Sequence, residues 1–261
     1  MTPFQLLHIS DTHLFSKPDG EQRGVITAAS LAAVLKAAMS SGNADAVVVT
    51  GDLCQDESRK GYELLRSLLL PLRVPVICLP GNHDNLAHMQ KALAGDAIAV
   101  LGDHTLGDWV LMTLDCTVPG EVYGELGPHR LADLEERLQR CAHKPVLIAL
   151  HHPPVNCDSA WLDGTRLQDG DALLELLVRH PQVHGVLCGH IHQQLERTVT
   201  HTHGAIQVMA TPSTCRQFAI RSDEYATDEQ APGWRWLTLF EQSFKSTVER
   251  LTPQQFSKVV S

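Results

Sequence analysis

Aspartate, asparagine and histidine side chains follow each of five short apolar runs in this sequence. The runs are rich in Val, Ile and Leu and end at Gly or at polar residues, a pattern that predicts buried β-strands. Because carboxylates and imidazoles bind metal ions and move protons, their recurrence at strand ends predicts a metal or acid–base site. The runs are residues 6–9, 46–50, 76–79, 146–150 and 183–188, and the side chains that follow them are Asp11, His13, Asp52, Asn82, His151, His190 and His192.

The donor set of these seven side chains narrows the metal chemistry. It combines carboxylates, an amide oxygen and imidazoles without a thiolate, and it suits Mn²⁺, Fe or Zn²⁺ better than Ca²⁺ or an iron–sulfur cluster. Seven ligands exceed the number that one catalytic ion takes while positions stay open for water and substrate. They are enough for two ions if one carboxylate bridges them. Asp52, close behind the apolar run 46–50, is the natural bridging candidate.

The elements that position these residues alternate between strands and helices. Leu31, Val34, Leu35 and Ala38 have helical spacing, and Gly42 follows them as a stop signal. Alternation of this kind predicts an α/β sheet covered on both faces, in which ligands bind beyond the carboxyl ends of the strands. We therefore expect the five polar strand ends to converge on one edge of this sheet. Further helices are predicted over residues 57–70, 131–141 and 169–180.

The pattern changes after residue 193, where strands are joined by tight turns. This change predicts a hairpin-rich second sheet packed on the first, so the expected fold is α/β, a four-layer α/β/β/α sandwich with two mixed sheets flanked by helices. No linker or repeat interrupts the chain, and residues 1–261 are expected to form a single domain. Trp234 and Trp236 share a strand face and are expected between the sheets, with a dimer surface as the alternative. The hairpin strands are predicted over residues 195–200, 205–210, 234–240 and 244–251.

Composition limits the classes of function and of partner. The chain has 261 residues, of which 43% are hydrophobic, and its formal net charge of −9 disfavours a broad basic surface for nucleic acid. No run approaches the roughly 20 apolar residues of a membrane helix, and the first residues predict a strand rather than a signal peptide. Seven cysteines without a C-x-x-C pair favour a reducing compartment. We expect a cytoplasmic protein without nucleic-acid or membrane partners, as a monomer or homodimer.

The polar strand ends resemble the motif blocks of the calcineurin-like metallophosphoesterases. The five blocks are Asp11-x-His13, Gly51-Asp52, Gly81-Asn82-His83-Asp84, His151-His152 and Gly189-His190-x-His192. Other stretches are similar to the bacterial class III 3′,5′-cyclic AMP phosphodiesterases through nearly the whole chain. They lie at residues 8–15, 79–84, 119–126, 188–193, 211–218 and 232–236.

The resemblance implies a specific centre and reaction. Two divalent or mixed-valence metal ions, iron or manganese with zinc as an alternative, would activate a bridging hydroxide that hydrolyses 3′,5′-cyclic AMP to 5′-AMP. His83 would contact the phosphoryl or leaving oxygen as a hydrogen-bond donor or general acid, and Asp84 would orient it by accepting its second proton. One ion would be held by Asp11, His13, Asp52 and His192, and the other by Asp52, Asn82, His151 and His190. The implied catalytic residues are His83 and Asp84, and the implied substrate contacts are His13, Asp52, Asn82, His83 and His192.

Other functions stay open at this point. The same ligands fit an enzyme that acts on glycerophosphodiesters, 2′,3′-cyclic nucleotides or nucleotide-linked pyrophosphates. A metal-free interaction scaffold is the alternative from a different class. Recognition of adenine would separate these, and the loops expected to form the base pocket are residues 118–127 and 211–218. His152 beside His151 is expected to support the site rather than bind metal.

Overall fold

Two six-stranded mixed sheets form the centre of the computed structural model, which describes residues 2–95 and 97–260. The strands are β1 (Phe4–Ile9), β2 (Glu21–Gln22), β3 (Val25–Ile26), β4 (Ala46–Thr50), β5 (Val76–Leu79), β6 (Ile98–Val100), β7 (Gly102–Leu106), β8 (Trp109–Thr113), β9 (Val146–Ala149), β10 (Val183–Cys188), β11 (Leu195–His201), β12 (Gly204–Ala210), β13 (Gln217–Phe218), β14 (Thr227–Asp228), β15 (Gly233–Leu239) and β16 (Phe244–Arg250). The helices are α1 (Thr27–Ser41), α2 (Arg59–Leu69), α3 (Leu86–Leu93), α4 (Gly127–Arg140), α5 (Ala160–Asp163), α6 (Gly170–Leu177) and α7 (Pro253–Phe256), with a 3₁₀ turn at Leu70–Leu72.

Each large sheet has a parallel centre, and antiparallel strands lie at one margin of the first sheet and at both margins of the second. The first sheet has the order β16-β15-β1-β4-β5-β6, in which β1, β4, β5 and β6 are parallel. The second has the order β11-β12-β10-β9-β8-β7, in which β8, β9, β10 and β12 are parallel. Because the central strands of a sheet share one direction, their carboxyl ends, where ligands bind in α/β proteins, lie at one edge.

Side-chain alternation along the strands separates three cores. Val47 and Val49 of β4 pack with residues of the helices, whereas Ala46 and Val48 face the second sheet. A strand buried on both faces needs a continuous apolar run, which is what the sequence has at this position. The third core packs the second sheet against α4 and α6. The predicted four-layer α/β/β/α sandwich, with two mixed sheets flanked by helices, is confirmed.

The distribution of strands between the sheets differs from the prediction. The five polar strand ends do not belong to one sheet, since β1, β4 and β5 lie in the first and β9 and β10 in the second. The late hairpins do not build a sheet of their own either. β11 and β12 extend the second sheet, and β15 and β16 extend the first. Buried runs of similar composition fit either sheet, so the apolar pattern alone did not determine the partners of each strand.

The two tryptophans of β15 are buried, as expected, but not between the sheets. Trp234 and Trp236 are 2% and 7% exposed and pack in the core that contains α1. Trp236 donates its indole N–H to the hydroxyl of Ser41 at the end of α1 over 3.3 Å. Leu237 and Leu239, on the opposite face of β15, take the place between the sheets. The alternative of a dimer surface at these tryptophans is therefore not supported.

Candidate metal centre

The polar strand ends meet where the carboxyl edges of the two sheets adjoin. The turn after β10 contacts the first sheet directly, because the backbone N–H of His190 donates to Oδ1 of Asp11 over 3.1 Å. Nδ1 of His151, after β9, is 2.7 Å from the carbonyl oxygen of Thr50 at the end of β4. The structure therefore brings the seven predicted metal ligands together, although they come from two sheets.

Five of the seven predicted ligands have a left-handed backbone conformation. This region is uncommon for residues other than glycine, and each such residue costs about 1–3 kcal/mol unless its surroundings impose the conformation. Backbone hydrogen bonds help to impose it, since His13 donates its N–H to the carbonyl oxygen of Asp52 over 2.9 Å. Strain collected in this way is typical of functional sites. The φ values are +55° at Asp11, +45° at His13, +50° at Asp52, +69° at His190 and +49° at His192.

Asp11, His13 and His192 form the first group of potential ligands. Their ligand atoms all lie within 4.8 Å of one another. Nε2 of His13 is 2.9 Å from Nε2 of His192, which in turn is 3.4 Å from Oδ1 of Asp11. Two imidazole nitrogens and a carboxylate directed at one point make a donor set that suits a first-row divalent ion.

Asn82, His151 and His190 form the second group. Oδ1 of Asn82 is 3.1 Å from Nδ1 of His190. Nε2 of His151 is 3.4 Å from Oδ1 of Asp52, and the ligand atoms of Asp11, Asp52 and His151 lie within 4.8 Å of one another. Together with Asp52, this group can therefore provide an amide oxygen, two imidazoles and a carboxylate.

Asp52 directs one carboxylate oxygen toward each group. Oδ1 is 3.4 Å from Nε2 of His151, and Oδ2 is 3.7 Å from Nε2 of His13. The carboxylate is held in place because Oδ1 also accepts the backbone N–H of His83 over 2.9 Å. A buried carboxylate that faces both groups in this way could hold two metal ions at once.

In three of the histidines, a hydrogen bond at Nδ1 sets the orientation of the imidazole. A ring nitrogen that contacts an oxygen acceptor carries the proton, which leaves the lone pair of the other nitrogen free to bind metal. Nδ1 donates to an oxygen in each case, so Nε2 is the free nitrogen of all three rings. The acceptors are Oε1 of Gln55 for His13 (2.7 Å), the carbonyl oxygen of Thr50 for His151 (2.7 Å) and the carbonyl oxygen of Arg216 for His192 (2.6 Å).

Burial and neighbouring charges shift the pKa values of side chains in the centre. Burial lowers the pKa of His13 to about 3, so its imidazole is neutral. Burial also lowers the pKa of His151, but Asp52 and Asp11 outweigh it and raise that pKa to about 9. His151 in turn holds the pKa of Asp52 well below its ordinary value, against the effect of burial. A cation bound by this pair would take the place of the His151 proton.

Two buried polar atoms of the centre lack a hydrogen-bond partner among the described residues. They are Oδ2 of Asp11 and Nε2 of His151. Buried acceptors without a partner are costly, and metal ligation is one way in which a protein satisfies them. These atoms, together with the convergent nitrogens of His13 and His192, show that the residues present fit a metal centre.

His152 has a supporting position. Its Nδ1 is 3.2 Å from the thiol sulfur of Cys116, and its Nε2 is 3.2 Å from the carbonyl oxygen of Val122. Although its ligand atoms lie near those of His151 and His190, both of its nitrogens are already engaged. Burial lowers the pKa of His152 to about 3. The ring therefore packs beneath the second group, in agreement with the expectation from sequence.

The predicted contact between Asp84 and His83 is wrong. The Asp84 carboxylate accepts the backbone N–H groups of Leu53, Cys54 and Gly81 over 2.9–3.1 Å. It also accepts the hydroxyl of Tyr62 over 2.9 Å. Side chains of adjacent residues point in different directions here, so Asp84 turns into the protein while His83 faces the centre. Asp84 therefore anchors the loop that carries Asp52 and does not act on the imidazole of His83.

Two polar residues that the sequence analysis did not single out hold imidazoles of the centre. Gln55 contacts both His13 and His83, at 2.7 and 3.2 Å. The hydroxyl of Thr165 is 2.9 Å from Nε2 of His190. Neither residue belongs to a motif block, and their roles depend on contacts across 25 to 42 positions of sequence.

Three aromatic residues, which we call the aromatic rim, lie beside the first group. The ring of Phe218 stacks on His192 with a centroid separation of 4.2 Å and an interplanar angle of 15°. Trp161 and Tyr225 pack edge-on against Phe218 at 5.0 and 5.8 Å. The guanidinium of Arg23 lies 5.0 Å from the Phe218 ring centre and donates to the Tyr225 hydroxyl over 2.7 Å. Of the two predicted base-pocket loops, 211–218 reaches the first group through Phe218, and 118–127 contacts His152 through the carbonyl oxygen of Val122.

Two helix-flanked mixed sheets that carry Asp, Asn and His ligands at their adjoining edges define the class of dimetal phosphoesterases. Comparison of the sequence with known families agrees with this class. The sequence model of the calcineurin-like phosphoesterases matches residues 4–194, which include all seven predicted ligands. The chain belongs to this family.

Several relatives match over most of their length. The chain is 39% identical over 255 residues to the 3′,5′-cyclic adenosine monophosphate phosphodiesterase CpdA of Vibrio vulnificus, which covers 97% of this chain and 92% of the relative. It is 37% identical over 236 residues to the protein of that name from Pseudomonas aeruginosa, and this match covers 90% of the chain and 85% of the relative. The Escherichia coli K12 protein of that name is 36% identical over 255 residues, covering 97% and 91%.

Solved structures agree with the fold. A dimetal phosphatase from Danio rerio superposes with a TM-score of 0.65 at 17% identity, covering 95% of this chain and 96% of that one. A purple acid phosphatase from yellow lupin superposes with a TM-score of 0.67 at 15% identity, and the match covers 95% of this chain and 52% of that one. Across residues 2–95 and 97–260, no helix has the length and apolar character needed to cross a membrane.

Proposed function

We propose that this protein hydrolyses 3′,5′-cyclic AMP to 5′-AMP at a centre of two metal ions. The observation that carries the substrate assignment is the identity of 36–39% with relatives named as cyclic AMP phosphodiesterases. The match covers 90–97% of the chain, so it continues beyond residues 4–194 into the segments that approach the centre from outside. Glycerophosphodiesters, 2′,3′-cyclic nucleotides and nucleotide-linked pyrophosphates are the competing substrates, and a metal-free scaffold is the competing class.

We assign the ligands to two ions that share Asp52. The short approach between Nε2 of His13 and Nε2 of His192 supports the first site, and the contact of Asn82 with His190 supports the second. The shared oxygens of Asp52 support its role as the bridge. The first ion would be held by Asp11, His13, Asp52 and His192, and the second by Asp52, Asn82, His151 and His190.

The chain prepares this centre for an anionic substrate. The chemistry supplied by two such ions is neutralisation of the phosphate charge and activation of the attacking water. Asp11 and Asp52 are the carboxylates of the assigned set, and they offset only half of the charge of two divalent ions. A phosphodiester monoanion is therefore attracted to the loaded centre. His83 faces the centre beside Asp52 and acts on a phosphate oxygen as a hydrogen-bond donor or general acid. The proposed substrate contacts are His13, Asp52, Asn82, His83 and His192.

The donor chemistry supports a proposal for the identity of the ions, and the cysteines support one for the compartment. We take the ions to be iron or manganese, with zinc as the alternative, because the assigned ligands are oxygen and imidazole donors. All seven cysteines are free thiols, which fits a reducing cytoplasm. The substrate is a small cyclic nucleotide, without a nucleic-acid or membrane partner, and the protein acts as a monomer or homodimer.

Hydrolysis of four diesters by the metal-loaded protein tests the proposal. The protein is purified without chelator, its bound metals are counted, and it is incubated with 3′,5′-cyclic AMP, 2′,3′-cyclic AMP, glycerophosphocholine and bis-p-nitrophenyl phosphate. We expect 5′-AMP as the product and a preference for the 3′,5′ isomer, both abolished by a chelator and restored by iron or manganese.

The remaining outcomes separate the alternatives. Turnover of the artificial diester alone would keep the metal chemistry and reject cyclic AMP as the substrate. A preference for glycerophosphocholine or the 2′,3′ isomer would move the protein to that substrate class. Absence of both turnover and bound metal after reconstitution would favour the scaffold.

A further inference from the structure

Gln55 lies between two imidazoles of the centre and contacts both. Its Oε1 is 2.7 Å from Nδ1 of His13, and its Nε2 is 3.2 Å from Nδ1 of His83. The rings of the two histidines are 5.4 Å apart and nearly perpendicular. A single amide therefore joins a proposed metal ligand to the histidine proposed to act on the substrate.

The orientation of this amide follows from the role of His13. An imidazole that binds metal through Nε2 carries its proton on Nδ1, and that proton needs an acceptor. Of the two ends of the Gln55 amide, only the oxygen accepts, so the oxygen must face His13. The NH₂ end is then directed at His83, which is the arrangement in the structure.

The amide in turn selects the ring nitrogen of His83 that accepts a hydrogen bond. An NH₂ group only donates, so the nitrogen that it meets, Nδ1, must be the unprotonated one. The proton of a neutral His83 then lies on Nε2. Nε2–H is then the group of His83 that can donate a hydrogen bond to the substrate.

We propose that Gln55 is a positioning residue that holds Nδ1 of His83 as a hydrogen-bond acceptor and so leaves Nε2–H to donate to a phosphate oxygen of the substrate. The proposal rests on the proposed function, because it needs His13 as a metal ligand and His83 beside the phosphate. It goes beyond that function in assigning the proton of His83 to one nitrogen and in naming the residue that keeps it there.

The backbone around Gln55 is fixed in a way that suits this role. The N–H of Gln55 donates to the carbonyl oxygen of Leu14, next to His13, over 2.7 Å. The two preceding N–H groups, of Leu53 and Cys54, donate to Asp84. The loop is thus tied both to the segment of His13 and to the segment of His83. Its side chain can hold the two rings at a constant separation.

The tautomer can be measured directly by long-range ¹H–¹⁵N correlation spectroscopy of the ¹⁵N-labelled, zinc-loaded protein. The signals of His83 are assigned by their loss in His83→Ala. We expect the chemical shift of an unprotonated Nδ1 and a protonated Nε2. In Gln55→Leu the shifts of the two nitrogens should move toward each other, because nothing then holds Nδ1 as the acceptor and the ring exchanges between its two tautomers. A proton on Nδ1 in the unmodified protein, or unchanged shifts in Gln55→Leu, would overturn the proposal.

A double-mutant cycle tests whether Gln55 acts through His83. With both metal sites verified as filled, Gln55→Leu should lower kcat/KM by about 10–100-fold, the usual range when the support of a site residue is lost. In the His83→Ala background the same change should have little further effect. Gln90→Leu, at an exposed position of α3, is the matched control and should leave kcat/KM unchanged. Losses that multiply in the double variant would contradict the proposal.

Two further comparisons keep the outcome interpretable. If Gln55→Leu loses metal, Gln55→Glu replaces it, since the carboxylate keeps an acceptor for His13. That variant should show a proton on Nδ1 of His83, and an unprotonated Nδ1 would count against the proposal. The cycle is run on both cyclic AMP and bis-p-nitrophenyl phosphate. Turnover of the second alone would reject the proposed substrate while the cycle still tests Gln55.

Discussion

The metal centre and the aromatic rim adjoin, but they are built differently. Six of the seven residues of the centre are buried, and five have a left-handed backbone at the ends of sheet strands. The rim comes from the short helix α5, the short strand β13 and the segment between β13 and β14, and its outermost ring, Tyr225, is 54% exposed. The two regions touch through the stacked rings of His192 and Phe218. The centre is fixed by the sheets, whereas the rim is free to vary with its loops.

This difference separates the chemistry from the choice of substrate. Backbone positions at strand ends are held by the ladders of both sheets, so the ligand geometry is rigid. Loops tolerate changes of length and sequence, and residues on them decide what fits above the centre. Changes in the centre should therefore affect every diester, and changes in the rim should affect only substrates that reach it.

The largest effect is expected at the bridging carboxylate. Asp52→Ala removes the oxygen that faces each group and should leave at least one site empty. We expect loss of activity on every diester by more than about 100-fold, beyond the usual cost of losing a ligand's hydrogen-bond partner. Metal analysis and turnover of cyclic AMP and bis-p-nitrophenyl phosphate measure this. Asp108→Ala, in an exposed turn, is the control, and two bound ions with normal activity in Asp52→Ala would reject the bridge.

A methyl group at Gly189 should disturb the centre through packing. A Cβ at this position would meet the hydroxyl of Ser10 and lie 2.8 Å from Oδ2 of Asp11. Overpacking of this kind costs about 1–3 kcal/mol, so Gly189→Ala should lower both Tm and the metal content. At Gly164 a Cβ would meet only ordinary contacts at 3.7 Å, and Gly164→Ala should keep both values. Equal melting temperatures for the two variants would show that the close approach at Gly189 is unimportant.

The hydroxyl of Thr165 offers a test confined to one metal site. Thr165→Val removes the partner of His190 Nε2 while it preserves the shape of the side chain. We expect affinity for one of the two ions to fall by about 10–100-fold, with the other unchanged. Metal titration followed by calorimetry would measure both affinities. Thr200→Val, at an exposed position of β11, is the matched control. Loss of both ions together would mean that the two sites do not act as separate halves.

The smallest effect is expected at the rim. Tyr225→Ala should raise KM for cyclic AMP by about 2–12-fold, the range expected for loss of an aromatic contact of about 0.5–1.5 kcal/mol. The metal content and the turnover of bis-p-nitrophenyl phosphate should not change, because Tyr225 makes no contact with the ligand side chains. Steady-state kinetics on both substrates would detect the difference. An equal loss on both would contradict the division between centre and rim.

The sequence predicted the features of the fold and the site that depend on residues close together in the chain. The apolar runs and the polar residues behind them predicted β4, β5 and β10 with the bounds found in the structure. They also predicted which side chains would converge, since chain direction places strand ends at a sheet edge. Strands β6 to β8, over residues 98–113, were not predicted. Two of them lie at sheet margins, where only part of the strand is buried and the apolar pattern is weak.

Contacts between distant segments were not accessible from the sequence. The family resemblance implied that Asp84 orients His83, yet its partners Leu53 and Cys54 lie 31 and 30 positions earlier in the chain. Gln55 has no distinguishing pattern, and its role depends on the packing of three loops. The prediction of which strands share a sheet failed for the same reason. A run that is apolar on both faces does not show which other strands pair with it.

Anomalous diffraction from crystals of the metal-loaded protein would test the central claim most directly. We expect two anomalous peaks per chain, roughly 3.5–4 Å apart, with the carboxylate of Asp52 between them. One peak should lie against His13 and His192, and the other against Asn82, His151 and His190. A single peak, or two peaks without Asp52 between them, would contradict the account.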